Sequence, residues 1–260
     1  MFKYKIIQLF ALVISLSSFA QTAKQYEYQY IDVEGYVMKS YLLTIPNESI
    51  FIIKDDRKSG TNMTQEGVPY KVYTDKWATI YYQSKTQNLT RIPIYSKELI
   101  YESKDIIQEI NLSENKKVIG KYKCQEATIK KGGRIYTAWF TSEVPLKTGP
   151  INIVGIPGLI VELSEKNSKS FKISLTSISD LKDLTEFNAY KKYVTSKKHL
   201  NLTDYNATVT KLLTNVKREN YSILAKMNAT MEYTEDQGYF TKHLVDIPKN
   251  LVSELQKIKQ

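Results

Sequence analysis

From Tyr26 onward the chain runs on a two-residue period, and that rhythm restricts its fold more than any other feature. Tyr26, Tyr28 and Tyr30 alternate with Glu27 and Gln29, so the rings fall on one face of an extended chain and the polar groups on the other. The apolar segments Tyr41–Ile45 and Ser49–Ile53 flank the turn pair Pro46-Asn47, which is the pattern of a hairpin. Further short strands are expected at 69–74, 78–83, 90–95, 98–102 and 107–112, with Pro93 demoting 90–95 to a sheet edge because it lacks an N–H. Residues 54–67 are polar and carry Gly60 and Gly67, and read as a long mobile loop.

The clearest hairpin lies within 116–142. One strand is expected from Val118 to Ile129, a turn at Lys131-Gly132-Gly133-Arg134, and a return through Ile135–Thr141; paired glycines suit the positive φ of primed turns. Within 120–125 the lysines alternate with Tyr122 and Cys124. The pattern turns Cys124 inward as a small apolar residue; the alternative is pairing with another molecule. Strands over Leu159–Leu163 and Phe171–Ile178 close this part.

After Asp180 the period changes. Residues 186–199 read as a lysine-rich helix. Thr203 or Asp204 is placed to cap a second, with Val209, Leu212, Leu213, Val216, Leu224, Met227 and Met231 on one face. A strand is expected at 238–245. Pro248 opens a short tail helix carrying Leu251, Leu255 and Ile258. The division is 1–20 as a leader, 21–180 as the β-rich part, and 181–260 as a mainly helical part of the same domain.

The leader reading rests on three features. Lys3 and Lys5 precede an apolar run from Ile6 to Leu16, and Ser18-Phe19-Ala20 puts small residues where a signal peptidase reads them, with Gln21 next. The run is too short for a membrane span, and no later stretch reaches 18 apolar residues. Export to the periplasm or beyond follows, with no transmembrane span in the mature chain. Removing Lys3 and Lys5 leaves 35 basic residues against 27 acidic, a formal +8. Only Arg57, Arg91, Arg134 and Arg218 are arginines, and the lysines are dispersed. That argues against nucleic acid, whose readout favours clustered arginine forks; weak attraction to an anionic envelope surface stands.

Catalytic motifs are sparse. One cysteine excludes a disulfide framework and a cysteine-built metal cage. His199 and His243 lie 44 positions apart with no acidic neighbour at ligand spacing, so no metal and no cofactor is expected. Ser113-Glu114-Asn115-Lys116 and Lys147-Thr148-Gly149 fit the serine–lysine motifs of penicillin-binding enzymes. However, Ser113 is expected in a strand-to-strand turn rather than at a helix start, and 33 lysines make such matches common.

Gly155-Ile156-Pro157-Gly158-Leu159-Ile160 resembles the signature of the GLPGLI family, exported proteins of uncharacterised function found mainly in the Bacteroidetes. The likeness extends through Ile119–Thr128, Gly133–Thr141, Glu143-Val144-Pro145 and Gly149-Pro150, and more weakly over 26–178; Ile156 replaces the usual leucine. The resemblance implies compartment and kinship, and brings no catalytic residues. Read physically, Pro157-Gly158 suits a type II turn, and such a turn would press Leu159, Val161 and Leu163 into the core and leave Ile160 and Glu162 on the other face. Alternatively Gly155, Pro157 and Gly158 shape the rim of a groove lined by Tyr136, Trp139 and Phe140, with Arg134 as its polar anchor, unless Arg134 pairs with a carboxylate across the hairpin.

The fold expected is mainly β (α+β): a curved antiparallel sheet or open half-barrel with C-terminal helices packed on it. The function expected is a non-enzymatic envelope module that binds or carries an apolar ligand or peptide. The alternatives are a hydrolase with a spatially assembled site, or an accessory partner of an outer-membrane receptor.

Overall fold

The computed structural model of the chain describes residues 23–54, 60–63, 69–72, 79–94, 97–104, 108–228, 240–241 and 244–258. The strands are β1 (Lys24–Ile31), β2 (Val37–Ile45), β3 (Glu48–Lys54), β4 (Gly60–Met63), β5 (Pro69–Val72), β6 (Thr79–Gln83), β7 (Asn88–Ile94), β8 (Lys97–Glu102), β9 (Gln108–Ile119), β10 (Tyr122–Lys131), β11 (Arg134–Thr141), β12 (Leu159–Glu165) and β13 (Lys172–Asp180). The helices bounded within the described residues are α1 (Thr185–Thr195), α2 (Leu202–Lys226) and α3 (Leu251–Gln256).

Eleven strands form one open antiparallel sheet in the order β8-β7-β6-β3-β2-β1-β13-β12-β11-β10-β9. Laid flat, β8 and β10 would stand roughly 43 Å apart at the usual strand spacing. Instead the Tyr101 hydroxyl of β8 and the Lys131 ammonium of β10 reach the same Asp246 carboxylate. The sheet is therefore curled until its two ends meet round one side chain. Its concave face is lined by Tyr26, Tyr28, Phe51, Tyr81, Ala127, Ile129, Tyr136, Ala138 and Phe140.

That face is filled by the connection between β11 and β12. Leu146, Ile151, Ile153 and Ile156 belong to the same core. The 3-10 turn Pro150–Asn152 holds Ile151 at φ 50° and Asn152 at φ 55°, both buried. A β-branched residue in the left-handed region costs on the order of 1–3 kcal/mol, and the surrounding core holds it there.

The helices cover what the sheet leaves bare. α2 and α3 pack Tyr205, Val209, Leu213, Leu251 and Leu255 against Ile92, Ile94, Leu99 and Tyr101 at the β7–β8 end. α1 packs Phe187 and Val194 against Leu43, Ile50, Ile52, Ile80, Tyr82 and Leu89 on the opposite face. Strand β3 is thus buried on both sides, which is why its apolar run is nearly unbroken.

Arg91, buried beneath α1, fixes that helix through Glu98. The Glu98 carboxylate accepts from Arg91 at 3.0 Å, Tyr193 at 2.6 Å and Lys197 at 2.7 Å. Burial by itself would raise the Glu98 pKa, but Lys197, Tyr193 and Arg91 together outweigh it and hold the group at about 2, below its ordinary 4.5. A depressed carboxyl stabilises the fold fully above the unfolded value, and that contribution fades as pH falls through the folded one. Between pH 6 and pH 3 the wild-type chain is therefore expected to lose about 1–2 kcal/mol more stability than Glu98→Gln, after discounting for solvent screening. Urea unfolding at both pH values measures this; equal losses would remove Glu98 from the account.

Several expectations are corrected in detail. The strand expected from Val118 to Ile129 is broken by the two-residue turn Gly120-Lys121, and 108–119 is one strand, β9. Ser113 lies inside β9, at the register shift opposite Gln125–Ala127, not in a turn between strands. β7 lies second from the sheet edge, not at it, and Pro93 stands opposite Glu98 of β8. Segment 54–67 is not all loop, since β4 pairs with β5 in a separate two-stranded sheet; 55–59 and 64–67 lie outside the described residues. The cap of α2 is Asn201, whose side chain accepts from the Asp204 N–H at 2.8 Å. The apolar face of α2 ends early, with Met227 49% exposed, and Met231 lies outside the described residues. Residues 240–241 are helical, not extended.

Candidate functional site

The turn at Gly132-Gly133 organises a buried polar cluster. It sets Lys131 and Arg134 directly opposite each other at the ends of β10 and β11. Lys131 continues the inward alternation of Ala127 and Ile129, and its ammonium meets Asp246 at 3.3 Å with both side chains 5% exposed. Tyr101 donates to the other Asp246 oxygen at 2.5 Å and stacks on Tyr205 with ring centroids 3.8 Å apart. Tyr205 donates to the Asp246 carbonyl. Burial first, and then the Asp246 charge, push the Tyr101 phenol well above its ordinary pKa, so it stays a donor.

Arg134 clasps the incoming C-terminal segment. Its guanidinium donates to Glu165 at 2.7 Å and to the carbonyls of Leu244 and Thr241 at 2.6 and 2.5 Å. The Ile247 N–H donates to the Gly132 carbonyl. A Cβ on Gly132 would lie 2.3 Å from Asp246 Oδ1 and 2.7 Å from the Val245 carbonyl oxygen. The arrangement interlocks turn and segment, with each charge matched by an opposite one. It acts as a clasp on the C-terminal segment.

The four residues expected to line a groove are not brought to one face. Tyr136 and Phe140 point into the filled core, 1% and 2% exposed. Arg134 pairs with Glu165 on the neighbouring strand. Trp139 alternates to the other face, where the Lys117 ammonium lies 4.2 Å from its ring centroid. Its cross-strand partner Glu162 holds Lys117 at 3.3 Å and Lys172 at 2.7 Å.

Gly155, Pro157 and Gly158 do shape a sharp turn, though not of type II. The Gly158 N–H donates to the Ile156 carbonyl, closing a three-residue turn round Pro157, and Leu159 N–H donates to Val144. A register shift between Trp139 and Phe140 leaves Val161 as an extra residue. For that reason Ile160 joins the main core beside Leu159 and Leu163 instead of facing away. Cys124 is a free thiol, buried at 2% exposure, and donates to the Tyr122 carbonyl. His199 bonds the Val194 carbonyl, and His243 lies outside the described residues. Among the described residues no three His, Cys, Asp or Glu side chains gather as a metal site.

The sheet's two edges differ. Leu200 bridges to Tyr101 and exchanges backbone bonds with Ile100 and Glu102, so β8 is covered. Strand β9 has no described neighbour on its outer side. Its residues from Glu114 to Val118 are all exposed, and Leu112 and Val118 stand 53% and 68% exposed.

Against known families, residues 130–162 match a model described as "Protein of unknown function (Porph_ging)". All seven residues singled out from the sequence for a groove or turn fall inside that stretch. Among solved structures, the chain is similar to one titled "Structure of PNGF-II in P21 space group", at 12% identity and a TM-score of 0.46, covering 71% of this chain and 32% of that one. A second, "Structure of PNGF-II in C2 space group", gives 13% identity and 0.43, covering 69% and 31%. The chain thus spans about a third of the length of these structures. No curated protein matches it.

Proposed function

We propose that the protein is an exported, non-enzymatic module of the cell envelope that engages a partner with its exterior, not a carrier of an apolar ligand. One observation carries this reading: the concave face is occupied by the chain's own Leu146, Ile151, Ile153 and Ile156. A half-barrel carrier would need that volume for cargo. The buried carboxylates Glu165 and Asp246 are matched by Arg134 and Lys131, which supports a structural rather than a catalytic use of them. Among the described residues no helix is long and apolar enough to cross a membrane.

Export rests on the layout of residues 1–20, which lie outside the described residues. Membership of the GLPGLI family is supported by the position of its signature, residues 155–160, within the stretch matched by a family of unknown function.

Native mass spectrometry of the protein taken from the envelope of its own cells under mild extraction tests both parts. The expected species is unliganded and begins at Gln21. A stoichiometric lipid or other apolar molecule would sink the exterior-binding reading. A species retaining residues 1–20 would sink export.

A further inference from the structure

We propose that the open edge of β9 receives an added antiparallel strand from a partner polypeptide that is acidic in its N-terminal half. The inference rests on the reading of the protein as an exterior binder and names the surface and the chemistry of the partner.

Edge strands present a row of unused N–H and C=O groups to any extended chain that meets them. Of the two edges here, β8 is covered by Leu200 and the helices, while β9 is open among the described residues. The geometry of its last turn says which groups face out. Ile119 and Tyr122 flank the two-residue turn Gly120-Lys121. In such a hairpin this pair exchanges both backbone bonds, and the next pair along exchanges none. The N–H groups of Val118 and Lys116 are thereby turned outward.

Charge selects the occupant. Residues 116–123 read Lys-Lys-Val-Ile-Gly-Lys-Tyr-Lys, with four lysines and no acid, and all four lysines are exposed. Lys117 is engaged by Glu162, and Lys121 lies over Tyr122. Lys116 and Lys123 have no ion-pair partner among the described residues. The other half of β9 carries Glu109 and Glu114. The edge is therefore polarised, basic toward the turn and acidic toward Gln108. With the ladder confined to 116–119 by the register shift at Ser113–Asn115, a second copy would pair this stretch with itself, bring lysines near lysines and add like charge to a chain already strongly basic, so a foreign acidic strand fits better than a second copy. Each existing pair in the main sheet is antiparallel, and an antiparallel newcomer sets its N-terminal half against the lysines. Exposed Val118 offers it one apolar contact.

The register shift at Ser113–Asn115 opposite Glu126 confines the ladder to the stretch beyond it. A short ladder makes weak, salt-sensitive binding, tuned by the lysines.

The probe is a fluorescent octapeptide, Asp-Val-Glu-Val-Asp-Thr-Val-Thr, compared with its reversed sequence by anisotropy on the mature protein. The acidic-first peptide is expected to bind about tenfold more tightly than its reverse, and Lys116→Glu with Lys123→Glu to weaken it by about tenfold. Val118→Pro removes an outward N–H without touching the β10 ladder, so it is expected to abolish binding while leaving the thermal midpoint nearly unchanged. Should that variant fail to fold, the lysine pair carries the test alone. Absence of binding, or equal binding of both peptides, overturns the inference while leaving the mass-spectrometric result untouched. Slower amide exchange of 116–119 with rising protein concentration would make the occupant a second copy instead. Binding to phosphatidylglycerol vesicles that Val118→Pro leaves intact would make it a membrane surface. Either of these overturns it.

Discussion

Replacing Asp246 by alanine is expected to destabilise the protein by about 3–5 kcal/mol, the usual consequence of stranding one partner of a buried ion pair. Two groups lose their acceptor at once. The Lys131 ammonium, 5% exposed, is left charged among Ala127, Ile129 and the C-terminal segment. The Tyr101 hydroxyl loses its 2.5 Å bond at a position without solvent to replace it. The loss is also topological, because Asp246 is the point where the two ends of an open sheet converge. Removing it is expected to loosen the Arg134 clasp on Thr241 and Leu244 and to expose segment 244–258 to exchange. The decisive measurement is a double-mutant cycle with Lys131→Met, read by urea unfolding. Most of the penalty should vanish when both are replaced, since no stranded charge then remains. If the two losses simply add, Lys131 and Asp246 are not coupled and the clasp is not what holds the curl. Asp246→Asn serves as the milder variant if alanine leaves too little folded protein.

How much of this was legible from the residues depends on how far each signal reaches. Strand patterning is local: the alternation at Tyr26–Tyr30 and the unbroken apolar run at Ser49–Ile53 both form strands where they stand, as does Ile135–Thr141. Turn chemistry is equally local, and Lys131–Arg134 turns where its glycines are. Two of the misreadings lie at irregularities that alternation does not see. The extra Val161 sends Ile160 inward, and the register shift in β9 interrupts a strand whose residues look like turn formers.

The site was less legible than the fold. Lys131 stands two positions beyond Ile129 and four beyond Ala127, so its inward direction was readable. Its partner Asp246 lies 115 positions away, and no short-range pattern links the two. Trp139 illustrates the reverse. A large aromatic beside Tyr136 and Phe140 suggests a shared surface, but its parity differs from theirs once Phe140 is fixed inward. Arg134 was readable as one half of a cross-strand pair, though not as the clamp on two distant carbonyls.

Gly158→Ala is expected to cost about 3–5 kcal/mol, placing it among the exceptional single substitutions. The turn round Pro157 presses the chain against the end of β11. A Cβ at 158 would sit 2.1 Å from the Thr141 carbonyl oxygen, 2.7 Å from its carbon and 3.0 Å from Ser142 Cα. All three are backbone atoms, so no side chain can swing away to make room. The φ of 149° adds strain that only glycine avoids. Relief would require β12 to retreat from β11, breaking the Leu159–Val144 bond and withdrawing Leu159 and Ile160 from the core. Gly120→Ala separates the two contributions. At φ 57°, with nothing within 4 Å of its Cβ, it bears only the backbone term, about 1–2 kcal/mol. Urea midpoints for the two variants, at unchanged m, should therefore differ by more than the error of the method. Equal midpoints would mean that the signature glycine serves its dihedral angle alone, and that the close approach of Thr141 does not hold β12 in place.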